Sequence, residues 1–114
     1  MTEIDIKYQK LGGNNSFLGN PITIEKSCPD EIGHYRHFKH GFIHWHPNFG
    51  AYVTRGAILK KWSSLFMERG DLGYPVTDEQ KTPDGIGRYQ RFQGGFTSQI
   101  YHRRGEHHLY CGLA

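Results

Sequence analysis

The side chains in this 114-residue chain whose chemistry calls for an explanation are histidines, one tryptophan among them, and paired carboxylates. Eight histidines are present, including His34, His37, His40, His44 and His46, with His107-His108 further on. In an extended strand His44 and His46 share a face, which is workable geometry for zinc. Trp45 stands between them and is followed by Pro47 and Asn48. A sugar offers a flat apolar C–H face and a rim of hydroxyls, so one ring with imidazole, amide or guanidinium neighbours suits it. Glu25 with Asp30, and Glu79 with Asp84, are carboxylate pairs of the kind that hydrolyse glycosides. There is no Gly-x-Ser-x-Gly elbow, and neither Cys28 nor Cys111 has a context that would activate a thiol.

A duplication decides among these chemistries. Leu18-Gly19-Asn20-Pro21 returns as Leu72-Gly73-Tyr74-Pro75, a separation of 54 residues from Leu18 to Leu72. The same slide sets Ile4 on Ile58, Thr23 on Thr77, Glu25 on Glu79, Tyr35 on Tyr89, Phe38 on Phe92 and Gly41-Phe42 on Gly95-Phe96. One supersecondary unit has been copied. It also sets His34 on Arg88, His37 on Arg91 and His40 on Gly94. Arginine does not replace a metal ligand, but it does replace a hydrogen-bond donor on a solvated face. The histidines are therefore expected to act as donors and rings, with no metal and no cofactor. The carboxylate pairs sit beside turn residues in both copies, where turn and cap duty explains them. No catalytic residue is expected.

The elements that must position these groups follow from local pattern. Ile58, Trp62, Leu65 and Phe66 form one stripe of an amphipathic helix, repeated as Ile4, Tyr8 and Leu11. Thr2 stands ready to cap the first helix with Asp5 three residues on, and Gly12-Gly13 ends it. The Leu-Gly-x-Pro block is a sharp corner. Thr23-Ile24-Glu25 and Thr77-Asp78-Glu79 begin short extended segments, and Pro29-Asp30-Glu31 and Pro83-Asp84-Gly85 are turns. The segment 33–38 and its returning partner 42–46 read as a hairpin, followed by a linker into the next helix. After Phe96 the best offset becomes 56, from Trp45 to Tyr101, as though Thr97-Ser98 were inserted. The expected fold is α+β: one domain, 1–114, of two tandem repeats (about 2–55 and 56–114). Each repeat is a short helix plus small antiparallel β-hairpins, and a pseudo-two-fold relates them.

Bulk properties fit. Aromatic residues make up 14% and glycine contributes 15 residues, a mix suited to short strands and tight turns. The net charge of +3 comes from scattered basic residues, unlike the dense stripe of a nucleic-acid binder. No window is apolar enough to span a bilayer, so membrane insertion is not expected. No signal peptide is visible, which makes the chain cytoplasmic as synthesised. The two cysteines do not form a disulfide framework by count, and their pairing stays open. Stacked repeats usually need three or more units, so either tight two-fold packing or a homo-oligomer supplies the missing neighbours.

The motifs together resemble the LGFP repeat. They stand as Trp62-Ser63-Ser64-Leu65, Leu72-Gly73-Tyr74-Pro75, Thr77-Asp78-Glu79, Asp84-Gly85-Ile86-Gly87-Arg88-Tyr89 through Gly95, and His44-Trp45-His46-Pro47 to Gly50-Ala51. The resemblance covers nearly the whole chain. It implies a non-catalytic module of the kind attached to bacterial cell-envelope enzymes, holding them on wall polysaccharide, and hence a cell-surface or extracellular place of action. The partner so implied is a carbohydrate, glycan or polysaccharide. The expected site is Trp45 with His44, His46, Asn48 and Tyr52, with Arg36 in reach. Its counterpart in the second unit, which has lost the tryptophan, uses Tyr101, His102, Arg103 and His108. Two weak sites gain from avidity. The competing expectation is a structural or protein-interaction module that oligomerises through its repeat faces and binds no sugar.

Overall fold

The computed structural model describes residues 2–83, 87–101 and 107–113, with side chains as far as residue 96. Helix α1 (Glu3–Leu11) opens with a capping box: Thr2 accepts from the Asp5 N–H, and the Asp5 carboxylate accepts from the Thr2 N–H. It ends at Gly12, as its sequence predicts. Strands β1 (Lys26–Ser27), β2 (His34–Phe38), β3 (Gly41–His46) and β4 (Gly50–Arg55) then form an antiparallel sheet in chain order. Helix α2 (Gly56–Ser64) follows directly. Strands β5 (Gln80–Lys81), β6 (Gly87–Phe92), β7 (Gly95–Tyr101) and β8 (His107–Leu113) form a second sheet of the same order. The architecture is α+β, two helices and two antiparallel sheets.

Each unit has its own core. Ile4 and Tyr8 of α1 pack on Leu18, Phe38, Ile43 and Val53, and Ile58 and Trp62 of α2 pack on Leu72 and Phe92. The Leu-Gly-x-Pro corner is what ties helix to sheet in both. Leu18 and Leu72 are fully buried, Gly19 and Gly73 have φ of 74° and 69°, and Pro21 and Pro75 bridge to Phe38 and Phe92 at the strand ends. A positive φ of this kind is easy only for glycine. The carbonyls of Leu18 and Asn20 accept from His40 and Lys39 in the β2–β3 turn, and those of Leu72 and Tyr74 accept from Gly94 and Gln93. The helix closes the arrangement: Tyr8 Oη donates to the Gly19 carbonyl at 2.7 Å, and Trp62 Nε1 donates to the Gly73 carbonyl at 3.1 Å. A tyrosine and a tryptophan substitute for one another here because each carries a ring with a donor at its tip.

Three expectations need correction. The stretch after His46 taken as a linker is strand β4, whose residues pair with β3 along its whole length. Phe66 does not continue the α2 stripe; the helix stops at Ser64, and Phe66 turns to φ 71° with 68% of its surface exposed. Finally, no two-residue insertion falls at Thr97-Ser98. His34 faces Trp45 in the first ladder and Arg88 faces Gln99 in the second, so Gln99, not Tyr101, holds the tryptophan's place. On the returning strand Leu113, not Cys111, faces Gly95 as Arg55 faces Gly41. The second ladder is one pair longer, seven against six, and its pairing near the base is intact.

The units meet through unlike faces. Strand side chains alternate, so Ile43 and Trp45 point toward α1 while Phe42, His44 and His46 point to the other side. On that other side the His44 ring meets Trp62 edge-on at 4.8 Å, and His46 lies 4.8 Å from Tyr74. The edge of β4 is also engaged: the Val53 N–H donates to Asp78, and Gln90 Nε2 donates to the Val53 carbonyl.

Candidate functional site

The alternation that builds β3 divides the expected site. Trp45 lies on the α1 side, half-buried against the first core, and forms a groove with Thr2, Glu3, Ile4, Glu25 and His34. His44 and His46 lie on the opposite face. The set Trp45, His44 and His46 cannot contact one ligand together, because successive residues of a strand point to opposite faces. That part of the expectation is corrected here.

The groove beside Trp45 encloses about 210 Å³. Its ladder partner His34 brings the imidazole centroid to 5.6 Å from the indole, tilted by 56°. Glu25 bridges the rim: Oε1 accepts from the Thr2 hydroxyl at 2.6 Å, and Oε2 is 3.6 Å from His34 Nδ1. Arg36 shares the strand but is committed elsewhere, donating from Nε to the Thr23 carbonyl at 2.7 Å, with Asp5 at 3.7 Å. Tyr52 faces His44 across the ladder and carries the Lys7 ammonium 5.8 Å from its ring. Asn48 is exposed at the β3–β4 turn, where its N–H donates to His46 Nδ1. The second expected site falls outside the described residues: His102 and Arg103 altogether, and the side chains of Tyr101 and His108.

On the other face His44 is only 2% exposed, and its Nε2 lies 3.3 Å from Glu68 Oε2. Burial by itself would raise the Glu68 carboxyl, but the neighbouring imidazole wins and holds it below its ordinary value. Close by, Tyr74 Oη donates to Asp30 Oδ2 at 2.6 Å, and Asp30 Oδ1 accepts from the N–H groups of Ile32 and Gly33. The tyrosine hydrogen bond chiefly lowers the Asp30 carboxyl, while burial chiefly raises the Tyr74 phenol. Burial likewise pushes the free Cys28 thiol up to about 12. Asp30 is thus spent on a turn and on the contact between units. Among the described residues, no three His, Cys, Asp or Glu side chains gather as a metal site.

Sequence reasoning missed Thr2, Glu25 and His34 as neighbours of Trp45. Once β2 and β3 are paired outward from the Phe38–Gly41 turn, His34 must face Trp45, so that signal was present. Tyr74 and Glu68 carried no such sign, since both act across the boundary between units.

A chain with this repeated α+β unit, with a corner motif tying each helix to its sheet, is a tandem-repeat protein. A family model described as LGFP repeat matches residues 18–70 and again 72–110, so the chain belongs to the LGFP repeat family. The match starts at the corner, so each matched unit runs from a corner onward and the first takes in α2. No curated protein matches the chain.

Proposed function

We propose that this protein is a non-catalytic carbohydrate-binding module, recognising a glycan or cell-wall polysaccharide without metal or cofactor. The observation that carries this is the groove at Trp45. A half-buried indole provides the stacking face, while Glu25, Glu3 and His34 at the rim can accept or donate to hydroxyls and fix orientation. The carboxylates favour a ligand rich in donors, which a polyol is. His44, His46, Tyr52 and Arg36 are engaged by neighbouring groups of the scaffold rather than turned into this groove, and Asn48 lies apart from it in the exposed β3–β4 turn. The pseudo-two-fold expected of the units enters only as a repetition of elements, because the faces that meet are unlike.

A glycan array with the full chain tests the proposal, followed by titration of the best ligand with the wild type and Trp45→Ala. The expected result is a loss of affinity of at least roughly tenfold, as for removal of a stacking ring, with the circular dichroism spectrum unchanged. Silence on every glycan would overturn it.

One observation favours a second reading, a structural or interaction module. Contact between unlike faces is heterologous and does not close on itself with two units. Ile22, Ile24 and Ile32 are also exposed. Light scattering over a concentration series would reveal self-association, and growth of mass without glycan binding would favour this reading.

A further inference from the structure

The groove at Trp45 has a counterpart in the second unit whose chemistry has been reversed. Glu79 stands where Glu25 does, Arg88 replaces His34, and Ala57 replaces Glu3. Two cavities of about 500 and 190 Å³ share Phe17, Arg55, Glu79 and Arg88 in their walls and so adjoin in a cleft between the units. Both guanidinium groups lean on one carboxylate oxygen: Glu79 Oε2 is 3.5 Å from Arg55 and 3.4 Å from Arg88. These are loose contacts, and the two arginine side chains remain 38% and 39% exposed while Glu79 is 16% exposed. The other nearby carboxylate, Asp78, is engaged by the Lys7 ammonium and the Val53 N–H. Among the described residues, the cleft therefore carries a guanidinium charge that no carboxylate balances. Beside it, Phe17 presents an exposed ring with the Arg55 guanidinium 4.0 Å from its centroid.

With the carbohydrate reading as its premise, we propose that this cleft is a second binding site, selective for an acidic saccharide. The uronate carboxylate bridges Arg55 and Arg88, and the sugar ring lies against Phe17. A guanidinium fork matches a carboxylate in two parallel hydrogen bonds, which the histidine of the first unit cannot supply. Unit for unit, an acid-edged groove has become a base-edged one, so the two sites divide neutral from acidic sugars.

The test is calorimetric titration of the full chain with a galacturonate trisaccharide, its methyl ester and inorganic phosphate, alongside the neutral glycan that binds best on an array. The acid is expected to bind, more weakly as salt is raised, and its ester to bind at least roughly tenfold less tightly. Arg55→Gln, and Arg88→His, which restores the residue of the first unit, should each weaken the acid by a similar factor without lowering the melting temperature. Trp45→Ala should leave acid binding intact while weakening the neutral ligand at least roughly tenfold. Equal binding of acid and ester, indifference to both arginine changes, or phosphate binding as tightly as the acid would overturn the acidic-saccharide site. If neutral glycan binds through Trp45 and the acid does not, only this second site falls. If no saccharide of either kind binds, the carbohydrate reading falls with it.

Discussion

At the scale of single residues, the duplication separates what the unit needs from what each copy is free to change. Leu18 and Leu72, Gly19 and Gly73, and Thr23 and Thr77 are kept because each makes the same contact twice. The threonine hydroxyls, for instance, accept from the His37 and Arg91 N–H groups. Where the copies differ, the side chain has taken on a separate task. The Asn20 position of the corner becomes Tyr74, which reaches across to Asp30 and Cys28. Cys28 is 2% exposed, and burial raises its thiol to about 12, so at neutral pH it is neither accessible nor a thiolate. Iodoacetamide labelling followed by peptide mass spectrometry should find Cys28 unmodified in the native protein and alkylated in denaturant. Rapid native labelling at Cys28 would mean that the contact around Tyr74 opens readily.

At the scale of elements, the parts legible in the sequence are those set by local spacing. The Thr2/Asp5 capping box, the helix stripes through Trp62, and the hairpin closed by Gly41 follow from pattern alone. Strand β4 was hidden because its tyrosine, valine and threonine sit beside glycine and arginine in a run that looks like a connection, and its far edge is satisfied by Asp78 and Gln90 of the other unit. Trp45 was legible as a ligand ring, but its neighbours follow from ladder register rather than from sequence proximity, and proximity wrongly supplied His44 and His46. The close fit of the units adds a constraint on the residue that leads into β2, which no spacing reveals. A methyl group at Gly33 would come within 2.2 Å of Tyr74 Oη. The tyrosine ring has no free end to swing away, since its hydroxyl is held by Asp30. Gly33→Ala should therefore cost about 1–3 kcal/mol of stability, the usual range for overpacking, measured by urea denaturation. Gly12→Ala, a control at an exposed helix end, strains only its own backbone. A Gly33→Ala protein as stable as the wild type would show that the second corner does not press on the lead into β2.

At the scale of the whole molecule, the contact between units is where its electrostatics are concentrated. Glu68 of the second unit sits beside buried His44 of the first, and Asp30 of the first holds Tyr74 of the second. Both carboxyls are held below their ordinary values of 4.5 and 3.8. A carboxyl whose folded value is depressed contributes stability that is fully present above its unfolded value. That contribution is lost as pH falls through the ordinary carboxylate range toward the folded value, because the unfolded chain takes up the proton first. Thermal melts should thus be insensitive to these two groups at neutral pH and decline on acidification below about 4.5. Tyr74→Phe removes the main cause of the Asp30 depression, so its melting temperature should be lower at pH 7 and approach that of the wild type in acid. Glu68→Gln should behave similarly through the His44 contact. Should the difference between wild type and Tyr74→Phe stay constant from pH 7 down to pH 3, the Tyr74–Asp30 hydrogen bond would not favour the ionised carboxylate, and the contact between units would rest on its other links, among them the packing of Trp62 on His44 and the hydrogen bonds of Val53 with Asp78 and Gln90.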